Sequence, residues 1–291
     1  MHNRFMRRHG AAVLLAALLV LLVAFAAACG EEEATTTTAA STATTAAGAT
    51  TSAAPTPEPQ PLLVAAAASL KSAFTELGTA FDAANNSVTT FTFDASGSLQ
   101  TQIEGGAPVD VFASAAWKQV NDLLEKGLVD EASTAVFASN EIVLAVPADS
   151  TLAIGSFEDL TKDEIQNMTT TDPKTSPLGQ TSMEILTTLG LLDAVQPKVI
   201  YAKNASQALT YVKEGEVDAG MLFSTDAVAG GGDIRVVAVS DPSWHTEIAY
   251  VLATVSASET KTLAQMFIDF VLGPEGQAIL NKHGFLSPPT S

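Results

Sequence analysis

A chain of 291 residues with 32 acidic and 14 basic side chains has a formal charge of −18 and lacks the basic footprint that nucleic acid requires. Its one cysteine excludes an internal disulfide, so any fold must be held together by its core.

The chain opens with Arg4, Arg7 and Arg8, followed by an apolar run from Ala11 to Ala27. This pattern reads as a signal peptide over residues 1–28. The run is too short and too alanine-rich to read as a membrane span. The ending Ala-Ala-Ala-Cys-Gly resembles a bacterial lipobox, with Ala26 where that motif usually has leucine. The resemblance implies cleavage before Cys29 and lipidation of that cysteine, an extracytoplasmic anchor on the cell membrane or in the periplasm. The alternative is an ordinary secretory signal with an incidental cysteine. Residues 29–61 are Glu, Ala, Thr and Ser, then alternating prolines. With no large apolar residue to bury, they read as a disordered tether.

From Leu62 the pattern alternates. Leu62–Ala67 is a candidate strand, and Leu70, Phe74, Leu77 and Phe81 then mark one face of a helix. Val88–Phe93 reads as a strand, Ser98–Glu104 as a short helix and Val109–Ala113 as a strand. Trp117, Val120, Leu124 and Leu128 mark the next helix, and Glu141–Pro147 (EIVLAVP) a strand. The pattern repeats with a helix over Leu178–Leu191, a strand at Lys198–Ala202, a helix at Ser206–Glu214 and a strand at Val217–Phe223. Ile234–Val239 and Ile248–Val255 read as strands, and Ser258–Leu272 and Glu275–Lys282 as helices.

Such alternation predicts α/β architecture with parallel sheets covered by helices. Two lobes fit the length better than one sheet: residues 62–140 with 241–291, and residues 141–240. EIVLAVP and IAYVLATV (248–255) are the expected crossing strands. Ligands of open α/β sheets bind at the carboxyl ends of strands, and two facing lobes close over them.

Two strand-to-helix turns stand out, AAAASLK at 65–71 and DASGSL at 94–99. Ser69 and Ser96 are placed there as N-cap residues, beside amides without helical partners. Such an end attracts anions. The serines either cap their helices or converge on one oxyanion. Neither turn has the Glu or Gln that would complete a capping box.

Longer strings carry a resemblance. VAAAASLKSAFTELGTAF, SGSLQTQIEGGAPVDVFASAA and NEIVLAVP are similar to the periplasmic molybdate-binding proteins of ABC transporters. So are DPKTSPLGQTSMEILTTLGLL, QALTYVKEGEVDAGMLFSTDA and FIDFVLGPEGQAILNKHGF. The resemblance implies a type II periplasmic-binding-protein fold, with the ligand in a cleft between lobes joined by crossing strands. It implies capture of molybdate or tungstate for delivery to an ABC permease by a monomer without a cofactor. It also implies hydroxyl contacts to the oxyanion from Ser69 and Ser96 and backbone amides from Leu178 and Ala205. The family's tyrosine hydroxyl falls at Phe223, so one donor is missing. Ser224, Thr225 or a water are candidate substitutes. Asp94 is a second departure. It is expected to face solvent or pair with a lysine, because a carboxylate turned inward would repel a dianion and favour a protonated oxyanion such as hydrogen phosphate.

The acidic surface does not contradict an anionic ligand. Converging N–H and O–H dipoles supply positive potential without a counter-ion, and salt screens distant charge over about 8–10 Å. Sulfate, phosphate or a small organic acid are the alternatives within the same fold. Arg235 is the sole arginine after the signal, with no reason to lie in the cleft to hold an organic carboxylate. A secreted enzyme is a more distant alternative. There is no G-x-S-x-G, H-E-x-x-H or Walker loop, and His245, His283, Asp193, Asp218 and Asp226 are scattered.

Overall fold

The computed structural model describes residues 58–288; the signal segment, Cys29 and nearly all of the tether lie outside the described residues. Ten strands within it form two five-stranded sheets.

In the first sheet β1 (Gln60–Ala67) lies between β2 (Ser87–Asp94) and β3 (Val111–Ser114), parallel to both. Next come β10 (Ala249–Thr254) and the edge strand β4 (Ala135–Ser139), with β10 antiparallel to its neighbours. The second sheet has the order β7 (Val199–Ala202), β6 (Met168–Thr171), β8 (Ala219–Phe223), β5 (Ile142–Pro147) and β9 (Ile234–Val239). Here β6 is parallel to β7 and β8, while β5 is antiparallel to β8 and β9. Both sheets are therefore mixed, where alternation alone predicts parallel ones. The departure has one cause: β5 and β10 each enter their sheet straight from the other, so no crossover helix turns the chain before they pair.

The chain passes between sheets twice, through residues 140–141 and 240–248. The passages run side by side: Ser240 N donates to Ile142 O (2.8 Å), and Ser139 Oγ donates to Ile248 O (2.7 Å). Near the C-terminus Leu286 exchanges backbone hydrogen bonds with Ser139, lacing a third segment to the same place.

Helix α1 (Lys71–Asn85) buries Phe74, Leu77 and Phe81, the stripe read from the sequence. It ends at Asn86, whose φ of 47° is the left-handed cap geometry that asparagine tolerates. The Phe81 and Phe74 rings meet Phe267 of α8 (Lys261–Leu272) edge-on, at 5.2 and 6.0 Å between centroids. One buried cluster continues from these residues through Phe137, Ile142, Phe223 and Tyr250 into the second sheet. The core thus runs through the pivot between the lobes.

Candidate functional site

Six strand ends meet across the cleft. β1 runs through a 3-10 turn, Ala68–Leu70, into α1, and β2 into α2 (Ser96–Glu104); β3 ends before Ala115. From the other lobe β6 leads to α4 (Pro177–Thr188), β7 to α6 (Ala205–Lys213) and β8 to α7 (Ser224–Gly230). These are carboxyl ends, where open α/β sheets place ligands.

They enclose a cavity of about 10 Å³ walled by Ala67, Ala68, Ser69, Asp94, Ala95, Ser96, Ala115, Ser176, Pro177, Ala205 and Phe223. That is the room of one small sphere. Among the described residues no lysine, arginine or histidine belongs to this wall. Arg235 lies outside it, donating to Ser150 O. His283 pairs with Glu76 and His245 meets Ser240 Oγ, both also outside the wall.

Four of the five residues singled out by sequence, Ser69, Ser96, Ala205 and Phe223, lie in the wall. Leu178 does not; it is fully buried one residue beyond Pro177. Its amide occupies the second position of α4 and belongs to the donors a helix leaves without an intrahelical acceptor.

Neither serine caps its helix. Ser69 sits in the 3-10 turn, with Leu70 at the N-cap of α1; Ser96 is the first residue of α2, with Ala95 at the cap, and neither cap makes a side-chain bond. Both hydroxyls are engaged elsewhere, and their partners fix where their protons point. Ser96 Oγ accepts from Ala115 N (3.1 Å), which leaves its own hydrogen to donate.

At Ser69 the direction follows from a chain of donors. Asn140 Oδ1 accepts from Glu141 N (2.9 Å) and from Ser224 Oγ (2.7 Å). Its Nδ2 therefore faces Thr225 Oγ1 (2.9 Å) and Tyr250 OH (3.1 Å) and donates to both. The Tyr250 hydroxyl, already accepting from Asn140, satisfies its own hydrogen only by donating to Ser69 Oγ at 2.9 Å. The Ser69 hydrogen is then left for the cleft. Burial raises the pKa of the Tyr250 phenol above its ordinary value, so it keeps this proton.

Phe223 presents a phenyl ring to the cavity, with the Tyr250 ring behind it at 5.8 Å between centroids. Ser224 and Thr225 are tied to Asn140 and are not in the wall, so neither replaces the hydroxyl missing at Phe223. Tyr250, Asn140 and Ser176 escaped the sequence reading. The first two act from behind the wall, and Ser176 precedes its helix in a threonine-rich stretch without the alanine run that frames Ser69.

Among the described residues Asp94 pairs with no lysine, and it is half-buried, not turned fully to solvent. It is in the wall, and its Oδ1 accepts from Ala95 N (2.9 Å) and, across the cleft, from Asn204 Nδ2 (3.0 Å). The reason is local: Asn204 caps α6, its Oδ1 accepting from Gln207 N, and this turns its amide NH₂ toward the opposite lobe. Beside the site two further bonds cross the cleft: Gly97 N donates to Thr175 O (2.8 Å) and Ser206 Oγ to Ala68 O (3.2 Å). The Gly97 contact leaves no room for a side chain, since a Cβ there would lie 2.5 Å from Thr175 O.

Behind Phe223, Asp226 is buried, and its Oδ2 has no hydrogen-bond partner. Desolvation pushes its pKa from 3.8 up to about 7, against a smaller opposing effect of the bond from the Phe223 amide.

A family model described as bacterial extracellular solute-binding protein matches residues 62–286. An Escherichia coli protein named molybdate-binding protein ModA is 31% identical over 233 residues, covering 77% of this chain and 88% of that one. A Bacillus subtilis protein, YvgL, named as an ABC transporter substrate-binding lipoprotein, is 32% identical over 225 residues, covering 77% of this chain and 85% of its own. Among solved structures, a substrate-binding domain assigned to a molybdenum ABC transporter from Clostridium difficile superposes with a TM-score of 0.62 at 33% identity. It covers 79% of this chain and 99% of that domain. The two-sheet architecture, the strand-end cavity and these matches agree, and the chain belongs to the bacterial extracellular solute-binding proteins, in the same family as the molybdate-binding proteins ModA.

Proposed function

We propose that this chain captures molybdate or tungstate outside the cytoplasm and delivers it to an ABC importer, by closing its lobes on the ion and without catalysing a reaction. The observation that carries this reading is the cavity itself. It is small, has no cationic side chain among the described residues, and is lined by two hydroxyls whose oxygens already accept a bond from the protein, leaving each a hydrogen to donate. A tetrahedral dianion that is fully deprotonated at neutral pH needs donors alone. Ser69 and Ser96 supply hydroxyls, and Leu178 and Ala205 supply backbone amides at helix starts. The walls leave room for about one small sphere, which favours a compact ion over a sugar or an amino acid.

In this reading residues 62–140 and 241–291 form one lobe and residues 141–240 the other. Residues 1–28 direct export, Cys29 carries the lipid, and 29–61 tether a monomer to the membrane beside its permease. Metabolic labelling with a fatty acid tests the anchor: Cys29→Ser should abolish the label and release the protein.

Calorimetric titration of residues 58–291 with molybdate, tungstate, sulfate and phosphate tests the ligand. Submicromolar molybdate and tungstate binding with much weaker sulfate binding supports the proposal. Phosphate binding without molybdate binding overturns it. Asp94 favours that second reading, since a carboxylate in the wall accepts a hydrogen bond from the hydroxyl of hydrogen phosphate.

A further inference from the structure

Among the wall residues, Ser176 has the same proton logic as Ser69 and Ser96. It is only 3% exposed and stands at the start of α4, where it makes no side-chain capping bond. Its Oγ accepts from Thr171 Oγ1 at 2.7 Å. A serine hydroxyl has a single hydrogen, and among the described residues none accepts the one on Ser176. The Thr171 hydroxyl is fixed in turn, because β6 is buried between its neighbours and all of its side chains are enclosed.

Three wall serines thus each accept one bond from the protein: Ser69 from Tyr250 OH, Ser96 from Ala115 N and Ser176 from Thr171 Oγ1. Each is left with one hydrogen to give. Two belong to the first lobe and Ser176 to the second. The amides at the starts of α4 and α6 have directions set by their helices, whereas a hydroxyl rotates to follow an oxygen.

We infer that Ser176 is a third hydroxyl donor to the bound oxyanion and the side chain that the second lobe adds to its backbone amides. The inference rests on the oxyanion reading above. Without a ligand needing donors at this point, a buried hydroxyl hydrogen lacking an acceptor costs stability.

The test compares wild-type protein with Ser176→Ala and Thr171→Val by calorimetry with molybdate, with melting of the ligand-free proteins as a check on folding. Thr171→Val removes the bond between the two hydroxyls but leaves the Ser176 hydroxyl in place. A donor role predicts that Ser176→Ala binds at least roughly tenfold more weakly, while Thr171→Val stays within about threefold of wild type. Wild-type binding matched by Ser176→Ala overturns the inference and leaves the function standing. Equal losses in both variants also overturn it, because they make Ser176 only a partner for Thr171. If wild type ignores molybdate but binds phosphate or sulfate, the ligand assignment falls, and the same comparison with that ion decides Ser176. If wild type binds none of these ions, both readings fall.

Discussion

The Tyr250 hydroxyl stands 2.9 Å from Ser69 Oγ, 181 residues away in sequence, and by donating to it leaves that serine's own hydrogen without a partner among the described residues. Replacing Tyr250 by phenylalanine removes this donor and leaves Asn140 Nδ2 short of one acceptor. Tyr250→Phe should therefore destabilise the protein by about 1–3 kcal/mol. It should also weaken molybdate binding by up to about threefold, as the Ser69 hydroxyl becomes free to rotate. Thermal unfolding and calorimetry measure the two effects.

In the proposed site, Ser69→Ala and Ser96→Ala would each remove a hydroxyl donor to a charged ligand, a bond of about 1.5–3 kcal/mol. Each should lose at least about tenfold in affinity. Nearly unchanged affinity in both variants would sink the assignment of the site.

Gly97→Ala tests closure without touching a ligand group. Alanine is favoured over glycine within a helix, so the first lobe should tolerate it and the ligand-free protein should melt close to wild type. In the closed form the added Cβ would meet Thr175 O at 2.5 Å. The expected result is affinity reduced by roughly tenfold or more. Small-angle scattering should show lobes that stay parted when molybdate is added.

Asp94→Asn separates the two ligand readings. The amide oxygen still accepts from Ala95 N and Asn204 Nδ2, while the negative charge disappears. A dianion should then bind roughly three- to tenfold more tightly through reduced repulsion. Were the ligand hydrogen phosphate held by the carboxylate, the same change would weaken binding.

Asp226 predicts a pH dependence of stability. Folded, its carboxyl keeps its proton up to about pH 7; unfolded, it releases it near its ordinary value of 3.8. Between those values the folded state binds more protons, so stability falls as pH rises, by at most about 1.4 kcal/mol per pH unit. Denaturant titrations across pH 4–7.5 should show this decline, and Asp226→Asn should flatten it. An unchanged slope in that variant would assign the dependence to other groups.

Much of this architecture is legible in the sequence, because its strands are apolar and its helices carry single-sided stripes. The β6 strand is not. Its residues Met-Thr-Thr-Thr read as polar, yet all four are buried. Their hydroxyls are absorbed by Ile200 O, Ser182 and Ser176. The β4 strand is short, with only Val136 and Phe137 as strong strand residues. The turns bearing Ser69 and Ser96 were legible because strand, serine and helix are contiguous. The partners that orient those serines come from other strands, and no local spacing announces Tyr250 or Ala115. Asp94 was misjudged for the same reason: its partner Asn204 lies 110 residues on, in the other lobe.

The three bonds that span the cleft, Gly97 to Thr175, Ser206 to Ala68 and Asn204 to Asp94, are made by the protein's own groups. Part of the free energy of shutting is therefore intrinsic, and the ion supplies only the remainder. This sets a trade-off in signalling. Stronger bonds across the cleft would let scarce cargo tip the balance, but would also make an empty carrier resemble a full one to the importer proposed above. With only three such links, the shut shape should report cargo aboard to the extent that the ion, and not the protein, supplies the balance.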